Sequence, residues 1–129
     1  MEEDVWKGRL ERCKWMTQED KEMFLRFAED AALREIGNKR VDKYRVDLVI
    51  AHGASGRNLH GMVGSIEGLK ATIARINSSH AYAAETKSGC KRTLGSIYCF
   101  IHNKERSMKY APREIKELVK AGVVFNFVY

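Results

Sequence analysis

The sequence predicts an α+β fold in which N-terminal helices precede a ferredoxin-like β-α-β-β-α-β core with an antiparallel sheet. Three observations lead there. Apolar residues recur at helical spacing before residue 37, they alternate with period two over 44–52 and 93–103, and a turn-forming cluster, Ser88-Gly89-Cys90-Lys91-Arg92, separates two strand-like runs. With 129 residues, 44% of them hydrophobic and 31% charged, the chain is expected to close one core. It reads as a single domain, 1–129, with a helical lid over 1–37 and the α+β core over 44–129.

The first segment, 2–14, reads as a short helix, with Glu2, Glu3 and Asp4 at its positive end and Arg12 and Lys14 at its negative end. A second helix begins at Thr17, where Asp20 three residues on completes a capping-box pattern. Met23, Phe24, Phe27, Ala28, Ala31 and Ile36 form its apolar stripe, and Gly37-Asn38 stops it. Such a face must dock on the core or on another chain. Residues 38–43 read as a polar connection. Over 44–52, Val46, Leu48 and Ile50 alternate with Arg45 and Asp47, which predicts a strand.

A glycine-rich loop is expected from His52 to Gly64. Ser65 then caps a helix whose stripe is Ile66, Leu69, Ile73 and Ile76. Residues 80–87 and 93–103 read as a hairpin, and 103–110 as a charged loop. Pro112 fits the first position of a helix over Ile115, Leu118 and Val119 that Gly122 ends, and 123–129 reads as a closing strand buried on both faces. Tyr98 and Phe100 are expected to pack under the N-terminal helices rather than to stack on bases.

Charge divides the chain. Residues 1–36 hold 7 Lys and Arg against 10 Asp and Glu, net −3, and residues 37–129 hold 16 against 7, net +9. Residues 86–109 hold six cations against Glu105, net +5. A basic unit of this kind points to an anionic partner. Lys87, Lys91 and Arg92 at the hairpin tip and Lys104 and Arg106 in the next loop are its candidate contacts, with Lys39, Arg40 and Lys43 extending the patch. Arg57, His52, Ser55 and His60 in the glycine loop offer donors to a phosphate approaching free backbone amides.

Known motifs fail in this loop. Gly56 and Gly61 have the Walker spacing, but Met62-Val63 stands where Lys-Ser/Thr is required. No motif in the chain carries a family assignment. Metal binding is not expected, because Cys99 and His102, three apart on a strand, point to opposite faces, and the spacing of His52, His60, His80 and Glu85 does not make them converge. Nor is a cofactor. Three cysteines and an acidic start without an apolar stretch read as a cytoplasmic chain with reduced thiols and no membrane segment.

The leading expectation is non-catalytic binding of a phosphate-bearing anion, nucleic acid or nucleotide. The alternative is a small inhibitor or adaptor, as in a phage or mobile-element accessory protein, that contacts a protein target through its N-terminal helices, Trp6 included. A homodimer in which acidic helices meet the basic core is a further possibility. A hydrolase or nuclease built on His52 and His60 has the least behind it, since no catalytic arrangement accompanies them.

Overall fold

The computed structural model of the protein describes residues 5–103 and 112–128, the last eight of these by backbone alone. The described residues form seven helices and no strand: α1 (Val5–Glu11), α2 (Gln18–Leu33), α3 (Asn38–Ser55), α4 (Leu59–Val63), α5 (Ile66–Ser78), α6 (Ala84–Asn103) and α7 (Arg113–Val128). The fold is all-helical, and the ferredoxin-like α+β expectation is wrong.

The reason lies in two stripes. Val41, Leu48 and Ala51 are buried and Tyr44 half-buried, spaced i, i+3, i+7, i+10 along α3. That stripe starts inside the segment read as a polar connection, and leaving out Val41 made the remainder look alternating. In α6, Cys90, Leu94 and Ile97 are buried and Ile101 packs against them, at i, i+4, i+7, i+11. The expected turn is the interior of that helix, although Gly89 costs it about 1 kcal/mol of propensity against Ala. Burial of a long apolar face overrides both the glycine and the β-branched content. The expected strand at 123–129 is helical backbone through Val128, so α7 runs past Gly122.

The helices expected from Thr17 and Ser65 are present. Thr17 and Asp20 form the reciprocal capping box, and Ser65 accepts the Gly68 N–H at 3.0 Å. Helices α3, α5 and α6 pack on one another, α7 lies against α5 and α6, α1 against α3 and α4 against α5. Helix α2 docks through aromatic rings. Phe24 and Phe27 are fully buried. Phe27 meets Phe100 edge-on with centroids 5.5 Å apart and Tyr44 at 5.4 Å, while Phe24 meets Trp6 at 6.0 Å. Phe100 thus lies under α2 as expected, on a helix rather than a sheet. Tyr98 instead lies against His102, with ring centroids 4.2 Å apart.

Candidate nucleic-acid interface

Helices α3 and α6 run antiparallel: Gly53, late in α3, faces the Tyr82 hydroxyl just before α6, whereas Lys43, early in α3, brings Nζ over Gly89. Their crossing is pinned by Asp47, a buried carboxylate. It pairs with Lys43 one turn earlier on its own helix, and its Oδ2 accepts the Thr93 hydroxyl of α6 at 2.6 Å. The Cys90 thiol lies 3.9 Å from Oδ1. Burial, and then the Asp47 charge, push that thiol up to about 12. A buried carboxylate needs such partners, and these make the α3–α6 geometry specific.

Helix α6 carries three Lys and Arg side chains, on two sides. Residues on a helix turn about 100° apart, so Lys87 and Lys91 share one edge and Arg92 lies round from them toward Gly89. Lys87 Nζ donates to the Asn77 carbonyl at 3.1 Å and Lys91 Nζ to Asn77 Oδ1 at 2.8 Å, so both close the C-terminus of α5, where a cation suits the helix dipole. Lys91 is buried. Its amine is shifted below the usual lysine range by that burial and then by the Lys87 charge. Lys87 is half-buried, and Arg92 is exposed with no carboxylate partner among the described residues.

Lys39 and Arg40 are exposed in the first turn of α3, again without a carboxylate partner among the described residues. Arg40, Lys43 and Asp47 follow one another at i, i+3, i+7, so Arg40 continues the row that faces α6. The antiparallel run directs it toward the Arg92 end. Two of the acids nearby are already engaged: Asp42 accepts Arg9 and Arg45, each at 2.8 Å, and Asp47 is taken as above. Glu85 is the one acid on α6. Lys104 and Arg106 lie outside the described residues.

The glycine segment is put to another use. His52 and Ser55 belong to the last turns of α3, Gly56 takes a left-handed φ of 72° that closes the helix, and His60 lies in α4. The amides that might have cradled a phosphate are occupied from within. Asp20 Oδ2 accepts the Leu59 N–H at 3.3 Å, Asp20 Oδ1 the His60 N–H at 3.0 Å, and Asn58 Oδ1 the Gly61 N–H at 2.8 Å. The anion at this helix N-terminus is the protein's own carboxylate. His60 Nδ1 also donates to Asp20, at 3.1 Å.

His52 stacks on Trp15 with centroids 4.5 Å apart and donates Nδ1–H to the Arg57 carbonyl at 2.9 Å. Ser55 Oγ donates to the Ala51 carbonyl at 2.7 Å and accepts the Arg57 N–H. The Arg57 side chain is exposed, with a long 3.5 Å contact to the Gly61 carbonyl. It lies beyond the far end of α3 from Lys39 and Arg40, roughly 27 Å away along the axis. The predicted residues therefore divide. Lys39 and Arg40 on α3 and Arg92 on α6 are exposed beside the α3–α6 crossing, Lys87 and Lys91 turn to the end of α5, and Arg57, His52, Ser55 and His60 sit elsewhere.

Sequence reasoning missed the pinning role of Asp47, hidden in the supposed strand; the i, i+4 pairing of Lys43 with Asp47 was the available signal. Among the described residues no three His, Cys, Asp or Glu side chains group to hold a metal ion, and no helix is long and apolar enough to cross a membrane. No family model matches the chain, and neither a curated protein nor a solved structure matches it.

Proposed function

We propose that the protein is a non-catalytic module that binds the phosphate backbone of nucleic acid with the outer face of α3 and α6. One observation carries this reading. Lys39, Arg40 and Arg92 are exposed on two pinned helices with no carboxylate partner among the described residues, while Asp42 and Asp47 are paired with other cations. A row of cations along two helices suits a linear polyanion, which is contacted at successive phosphates. A small nucleotide would need converging groups and free amides, and Asp20 holds those of the glycine segment. The protein-contact alternative loses its main anchor, because Trp6 is buried and donates Nε1–H to Asn38 Oδ1 at 3.1 Å.

The test is fluorescence anisotropy with a labelled mixed-sequence duplex over a salt series. Affinity should fall linearly on logarithmic axes, by about 0.9 in slope for each phosphate neutralised. The double variant Arg40→Glu/Arg92→Glu should weaken binding at least roughly tenfold and flatten the slope by about 2. Absence of binding at about 50 mM salt, where such contacts are strong, would refute the proposal.

A further inference from the structure

The solvent-facing stripe of α3 is not uniformly charged. Lys39, Asp42, Val46 and Val49 follow at i, i+3, i+7, i+10, which keeps them on one side of the helix, Asp42 being paired with Arg9 and Arg45. Val46 is 37% exposed and Val49, one turn further, 41%. Four large apolar side chains are exposed among the described residues, and two of them sit here, beside the cations. The ligand that fits is a polyanion that also offers apolar groups between its charges.

We infer that α3 enters the major groove of duplex DNA and that Val46 and Val49 contact thymine 5-methyl groups, so that the module prefers A·T-containing DNA. This rests on the phosphate-binding reading, in which Lys39, Arg40 and Arg92 hold the backbone. The major groove of B-form DNA admits an α-helix, and the thymine methyl is the one apolar group that base edges present there. The deep, narrow major groove of A-form RNA excludes a helix, which makes DNA the ligand. An anionic membrane also combines charge with apolar matter. Two half-exposed valines among lysines, however, lack the wide Trp, Phe and Leu face that an interfacial helix inserts.

The experiment compares an alternating dA·dT duplex with the same duplex carrying deoxyuridine in place of thymidine, which differs only in the methyl groups. The wild-type protein should bind the thymine duplex more tightly by roughly fourfold for each methyl buried. Val46→Ala/Val49→Ala should bring the two affinities within twofold of each other and leave the salt slope unchanged. Alanine at exposed helical positions raises helix propensity, so this variant keeps its fold. Equal affinity of the wild-type protein for both duplexes, or discrimination that survives in the variant, would overturn base reading while leaving backbone binding intact. Failure to bind either duplex, with or without binding to phosphatidylserine vesicles, would overturn both.

Discussion

The Asp20 carboxylate accepts the main-chain N–H of His60, forty residues along the chain, at 3.0 Å. It also accepts Leu59 N–H and Thr17 N–H, so one buried side chain caps two helices. Asp20→Ala strands these donors, each costing on the order of 1 kcal/mol or more when buried. The variant should lose about 3 kcal/mol in urea denaturation, and Asp20→Asn, which keeps one acceptor, less. A loss below about 0.5 kcal/mol, the level of an ordinary surface change, would contradict the double cap.

Glycines of this chain should respond very differently to a side chain. A Cβ on Gly68 would stand 2.2 Å from the Gly61 carbonyl oxygen, where α5 passes α4. Gly68→Ala must part the two helices and should cost about 1–3 kcal/mol. Gly37 caps α3 without a side-chain bond, and nothing lies within 4 Å of its Cβ position. Gly37→Ser adds a cap acceptor and should stabilise by a few tenths of a kcal/mol. Thermal unfolding of the two variants should therefore shift in opposite directions.

Lys91 and Arg92 are neighbours in sequence with opposite expectations. Lys91 is buried and held by Asn77, so Lys91→Met removes a desolvated charge at little cost to stability and should leave nucleic-acid affinity within about twofold. Arg92→Met should leave the melting temperature unchanged but weaken binding and reduce the salt slope by about 1. If Lys91→Met abolished binding while Arg92→Met did not, the face would be assigned to the wrong side of α6.

The three thiols should separate cleanly. Cys13 is half-buried, whereas Cys90 and Cys99 are buried with their thiols pushed up, Cys90 to about 12. At neutral pH, alkylation followed by mass spectrometry should find Cys13 modified first and the other two only after denaturation. The folded Cys90 thiol holds its proton more tightly than an ordinary thiol at 9.0, so its contribution is complete below pH 9 and is lost as pH rises toward 12. Cys90→Ala should flatten that part of the alkaline stability loss.

What could be read in advance follows the range of the interactions. Helices α2 and α5 were legible because Thr17 with Asp20, and Ser65, announce their starts within three residues of a clear apolar stripe. Helices α3 and α6 were not, since Val41 lay across a misplaced boundary and Gly89 imitated a turn. Lys39, Arg40 and Arg92 were identifiable by residue type alone. The burial of Lys91 depends on the end of α5, and the second role of Asp20 on an amide forty residues away. No local pattern encodes either, because both arise only when distant helices pack.

Asp47 binds Lys43 on its own helix and Thr93 on the other, which leaves α3 and α6 little freedom to slide. The spacing of the cations on the two helices is thus set before any ligand arrives. In the proposed phosphate binding, such a preorganised surface would lose little backbone entropy on association, so more of each contact would survive as affinity. On that reading it would also act as a ruler, admitting a polyanion whose charge spacing fits and discriminating against one whose spacing does not.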